Sequence, residues 1–86
     1  MYNYSKLKEE LFTDLGQRTF LKVRDRVFRL LEKSGAITMH MAIINVGFGN
    51  QWFQMACVDR MVELKEIIEI EQAGKVASQN RIFIKP

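Results

Sequence analysis

Apolar residues recur along this chain first at the spacing of helices and then, toward its end, at the spacing of strands. From Ser5 to Leu15, the residues Leu7, Leu11 and Leu15 stand four apart with Phe12 beside them, while Lys6, Lys8, Glu9, Glu10 and Asp14 fill the other positions. This stripe predicts an amphipathic helix N-capped by Ser5 and ended or bent by Gly16, its apolar face open to extension by Tyr2 and Tyr4. From Gln17 to Lys33 the signal is stronger. Phe20, Val23, Val27, Leu30 and Leu31 share one face, widened by Leu21 and Phe28, and Ser34-Gly35 supplies a C-terminal stop. The opposite side carries Arg18, Lys22, Arg26, Arg29 and Lys33 as one basic stripe, which serves either as a solvated face or as a surface for an anionic partner.

Ile37 opens a short extended piece. Thr38 can cap a helix running through Val46, which Gly47 stops, and Asn50 can cap another from Gln51 to about Leu64, with Phe53, Ala56, Cys57, Met61 and Leu64 inward. Ile68-Glu69-Ile70 and Arg81-Ile82-Phe83-Ile84-Lys85 alternate with a period of two and read as strands. Between them Gln72 to Asn80 is polar, small and glycine-bearing, longer than a tight hairpin turn. The expected fold class is mainly α with a small β-hairpin.

A length of 86 residues fits one small domain, near the lower limit at which a single core offsets chain entropy. Hydrophobic content of 48% against 27% charged residues places the chain among folded rather than disordered proteins. No apolar run reaches membrane-span length and the first residues lack a secretory apolar segment, so a cytoplasmic protein without a membrane partner is expected. The lone Cys57 cannot form an internal disulfide and sits in an apolar helix pattern, which predicts a buried thiol. His40 has no second ligand type near it in sequence, so neither a metal site nor a catalytic base is expected there. The carboxylates are scattered along polar faces and no glycine-rich phosphate loop follows a strand. The chain therefore reads as neither an enzyme nor a nucleotide or cofactor binder.

Charge is unevenly spread about the net value of +3. Bases dominate from Gln17 to Gly35, acids dominate from Asn50 to Glu71 (Asp59, Glu63, Glu66, Glu69 and Glu71 against Arg60 and Lys65), and Lys75, Arg81 and Lys85 follow without an acid. A negatively charged partner would meet the first and last of these segments more favourably than the middle.

The order of elements from Gln17 onward, namely helix, short strand, helix, the turn Val46-Gly47-Phe48-Gly49-Asn50, helix, strand, loop and strand, resembles the winged helix-turn-helix superfamily, in the manner of small bacterial or phage regulators. The resemblance divides the chain into an N-terminal helical extension, residues 1–16, and a winged helix-turn-helix domain, residues 17–86. Ala42, Val46, Phe48, Phe53 and Ala56 stand at the apolar positions of the motif and Gly47 at its turn. Two residues depart from the family pattern. Ile43 occupies a place usually held by a small side chain, which bears on the helix-crossing angle. Lys65 stands where most members end the recognition helix with glycine, so the exit must be made by a side-chain-bearing residue in a left-handed conformation.

In relatives that bind DNA, the start of the recognition helix enters the major groove and the wing reaches a phosphate or the minor groove. The resemblance therefore implies Asn50, Gln51, Gln54 and Met55, followed by Val58, as groove-facing residues, and Lys75, Gln79, Asn80 and Arg81 as wing contacts, Arg81 foremost. Asn and Gln can pair with adenine and apolar groups can touch thymine methyls. The expected function is a small transcriptional regulator that binds double-stranded DNA, as a dimer if the first helix pairs with a second copy rather than docking on its own domain. The alternative is a protein-protein interaction module without DNA binding, using Trp52, Met55 and Val62 as contacts. Helical phase leaves Trp52 either exposed or packed under the wing or against the first helix.

Overall fold

The computed structural model describes residues 1–47 and 49–86. Helix α1 (Tyr4–Leu7) runs into a 3-10 turn (Lys8–Phe12), followed by the long helix α2 (Asp14–Ser34), strand β1 (Ala36–Thr38), helix α3 (Met39–Ile43), helix α4 (Gln51–Glu63), strand β2 (Ile68–Ile70), a second 3-10 turn (Ser78–Asn80) and strand β3 (Ile82–Ile84). The architecture is mainly helical with a small antiparallel sheet. Its strand order is β1-β3-β2, so the last strand to form along the chain lies in the middle. β1 makes this sheet three-stranded, one strand more than the expected hairpin. Phe48, expected at an apolar position of the turn before α4, lies outside the described residues.

Helix α2 forms the spine of the core. Phe20, Val23, Val27 and Leu31 are buried on one face, as their spacing predicts, and meet Phe53, Cys57 and Met61 of α4 and Ile37 and Phe83 of the sheet in one cluster. Gly35 ends α2 in a left-handed conformation, φ 76°, with its N–H donating to the Leu31 carbonyl at 2.9 Å. Thr38 caps α3, as expected, by accepting from the Met41 N–H. α3 is shorter than its apolar pattern implies. It ends at Ile43, with Ile44 already extended and Asn45 left-handed at φ 59°, so the chain turns before Val46 and Gly47 are reached.

The greatest departure from the sequence pattern is at the amino terminus, where the expected continuous helix from Ser5 to Leu15 is broken. Asn3, not Ser5, caps the first turn, and at Thr13 the chain reverses into α2. The Thr13 hydroxyl accepts from the Gly16 N–H at 3.0 Å and donates to the Glu10 carbonyl at 2.8 Å, while the Gln17 side chain donates to the Leu11 carbonyl. Gly16 thus stands in the first turn of α2 rather than at a helix end. A Cβ there would overlap the Glu10 carbonyl, so the absence of a side chain is what allows the two segments to touch. Leu11 consequently joins the core, while Phe12 and Leu15 remain exposed.

One face of the sheet packs inward through Ile37 and Phe83. The register places Ile68 and Ala36 beside Ile84, and Ile70 and Thr38 beside Ile82, on the other face. Among the described residues, no helix is long and apolar enough to cross a membrane.

Candidate nucleic-acid interface

Helix α4 starts where Asn50 leaves extended backbone, its side-chain oxygen accepting from the Phe53 N–H at 2.8 Å. The predicted cap is present. The amide of Asn50, also expected to face a groove, is thereby engaged at its oxygen. Beyond the first turn the helix is enclosed: every residue from Phe53 to Val58 is buried. Gln54 at 7% exposure, Met55 at 3% and Val58 at 0% do not face outward, which corrects their expected orientation. Leu64, expected inward, is instead 46% exposed because α4 stops one residue before it.

α4 packs against α2 in the core, and the N-terminal segment docks on its later part, on its own domain. The Tyr2 hydroxyl donates to Asp59, the Tyr4 hydroxyl donates to Glu63 at 2.9 Å, and Lys8 Nζ donates to the other oxygen of Glu63 at 2.7 Å. Burial, then the Asp59 carboxylate, raises the Tyr2 pKa. Burial, then the Glu63 hydrogen bond, pushes Tyr4 up to about 12. Hydrogen bonds from Lys8, Arg60 and Tyr4 draw Glu63 down to about 2. No local pattern could reveal this strap, because Tyr2 and Asp59 are separated by 57 positions.

The acids of α4 and β2 are largely matched within the fold. Arg81 Nη2 lies 2.6 Å from Asp59 and 2.7 Å from Glu69, its Nε donates to Glu69 at 3.0 Å, and its guanidinium rests 5.4 Å from the Phe83 ring centroid. Hydrogen bonds to Glu69 and, against burial, to Asp59 raise its pKa further. The residue expected to reach a phosphate first is therefore an internal clamp between α4 and the sheet. Arg24 likewise pairs with Glu66 at 2.9 Å, and Lys85 pairs with Glu32 at 2.7 Å, which lowers the Glu32 pKa.

The remaining expected residues converge. Gln51, Gln79 and Asn80, joined by Trp52 and Ser78, line a cleft of about 400 Å³ between the first turn of α4 and the β2–β3 loop, with Tyr2 and Met55 also in its wall. A neighbouring cleft of about 290 Å³ shares Gln51 and Gln79 and adds His40, Ile43, Ile44 and Gln54. No carboxylate lines either one. Lys75 is exposed on the same loop but does not line these clefts. The basic stripe of α2 runs alongside α3: Arg26 Nε donates to the Met41 carbonyl at 3.1 Å, and Thr19 and Gly49 share a cleft nearer the start of α4. Tyr2, His40, Ile44, Ala77 and Ser78 also line these clefts, none of them placed at an interface by the sequence pattern.

Cys57 is fully buried, and burial alone pushes its thiol to about 12, which leaves it without nucleophilic character at neutral pH. Among the described residues, no group of three or more His, Cys, Asp or Glu side chains could hold a metal ion. Comparison with known proteins finds no matching family model, no similar curated protein and no similar solved structure.

Proposed function

We propose that this chain is a winged helix-turn-helix protein that binds double-stranded DNA, as a small transcriptional regulator does. The observation that carries the reading is the union of Gln51 on the first turn of α4 with Gln79 and Asn80 on the β2–β3 loop, in one carboxylate-free cleft. In this reading α3 and α4 are the two helices of the motif, α4 being the recognition helix, and the β2–β3 loop is the wing. The strand order β1-β3-β2 places that loop beside the start of α4.

The contact surface is narrower than the sequence pattern implies. Only the first turn of α4, through Gln51 and Trp52, is open to a groove, with Gln79 and Asn80 beside it. Lys75 on the wing and Arg18 and Arg29 on α2 are exposed bases suited to phosphates. The acids of α4 and the segment after it oppose this less than their number implies, because Asp59, Glu63 and Glu66 are each paired with a base of the same chain.

Electrophoretic shift of mixed-sequence duplex DNA tests the reading. Binding is expected at low salt and should weaken steeply between about 50 and 200 mM, and Lys75→Ala should reduce the salt slope by about 1. Absence of any shift at low salt overturns it. The alternative, an interaction module without DNA binding, draws support from the outer face of the sheet, where Ile68 and Ile70 are exposed beside half-buried Ile82 and Ile84 with no charged side chain among them.

A further inference from the structure

The half-exposed indole beside the wing lines a cleft whose polar side chains are three carboxamides and the hydroxyls of Tyr2 and Ser78. Trp52 is 48% exposed and lines this space together with Gln51, Gln79, Asn80, Ser78 and Met55. Each carboxamide presents a donor and an acceptor side by side, the arrangement found along the edge of a nucleobase, and an indole face is a stacking platform for any base. The volume of about 400 Å³ lies in the range of small-ligand clefts. No formal charge lines it, which suits a neutral heterocycle.

A second observation separates this from ordinary groove reading. A recognition helix that reads paired bases presents side chains from successive turns, yet past its first turn α4 is closed by burial of Gln54, Met55 and Val58 and by the docked Tyr2 and Tyr4. A base out of the stack needs only the mouth of the cleft. We infer that the cleft between the first turn of α4 and the wing takes an unpaired nucleobase, stacked on Trp52 with its edge hydrogen-bonded to Gln51, Gln79 and Asn80. The inference rests on the DNA-binding reading and adds to it a site for bases at strand ends, openings and single strands.

Trp52 is the only tryptophan of the chain, so intrinsic fluorescence reports on this cleft directly. The whole protein is titrated with a mixed-sequence single strand, with the same sequence as a blunt duplex, and with nucleoside monophosphates. The single strand should quench the emission. Trp52→Ala, scored by electrophoretic shift, should weaken single-strand binding about 5- to 150-fold, the range expected for loss of one stacked base, while Trp52→Phe should retain most of it. Gln79→Ala serves as a second variant that leaves the indole in place, and it should also weaken the single strand. Quenching by the monophosphates as well would locate recognition in the base itself. Quenching by the strand alone would show that the backbone must assist. Duplex shifted at low salt with no quenching by the single strand overturns the nucleobase site and leaves the DNA-binding reading standing. Neither DNA shifted at low salt overturns both.

Discussion

Lys65 shows how one side chain can be carried in a conformation that favours glycine. Its φ is 63°, and the N–H of Lys65 donates to the Val62 carbonyl at 3.0 Å while that of Glu66 donates to the Met61 carbonyl at 2.9 Å. This is the Schellman pattern of a helix end, with lysine at the left-handed position. A Cβ in that region costs roughly 1 kcal/mol. Lys65→Gly is therefore expected to stabilise the fold by up to that amount, less what glycine's greater freedom in the unfolded chain removes. A urea midpoint that falls would contradict this account. Gly16 is the opposite case, since a side chain there collides with backbone that cannot move aside cheaply. Gly16→Ala should cost about 1–3 kcal/mol, as overpacking does, and no rise in melting temperature is compatible with the contact described.

At the scale of elements, the pattern of apolar positions carried most of the information. The α2 face, the stop at Gly35 and the caps at Thr38 and Asn50 were all legible, because caps and stripes are local properties of a few neighbouring residues. The break at Thr13 was not. Leu7, Leu11 and Leu15 keep a helical period across a chain reversal, and only the hydrogen bonds of Thr13 and the approach of Glu10 to Gly16 show where the turn falls.

The N-terminal strap is also an element whose hold on α4 depends on pH. Glu63 has its pKa lowered from 4.5 to about 2, so its contribution is present above the unfolded value and is lost as pH falls through that interval. Tyr4 is raised from 10.0 to about 12, so its contribution is present below the unfolded value and is lost as pH rises through that interval. The strap should loosen at both extremes and stay docked between them. Hydrogen exchange of the first dozen or so amides, compared with that of α2 as pH is lowered below 4.5, reads this directly. Strap and α2 responding together would mean that the strap is not a separate unit.

At the scale of the whole molecule, Arg81 joins α4 to the edge and centre of the sheet through Asp59 and Glu69. Its removal leaves two carboxylates facing each other without a cation. Arg81→Ala should therefore destabilise the fold by about 2 kcal/mol, below the figure for a fully buried pair because Glu69 is 34% exposed. Under the proposed function it should not change the salt slope of DNA binding, in contrast to Lys75→Ala. Equal slope changes for the two variants would return Arg81 to the phosphate-contacting role that its sequence position implies. The same network explains why α4 need not repel an anionic partner as a whole, since its carboxylates Asp59 and Glu63 are paired with Lys8, Arg60 and Arg81.

The amino-acid sequence by itself determined most of the helical and strand stretches, which face of α2 is buried, and where α2 stops and α3 and α4 begin, because periodicity, caps and turn residues act over a few positions. It also identified Gln51, Gln79 and Asn80, which the structure brings to one cleft. Tertiary structure alone decided which of the other candidates stay open to solvent. Met55 and Gln54 are withdrawn by burial and Arg81 by its pairing with Asp59 and Glu69, and helical phase about one axis cannot report what distant segments will pack against it.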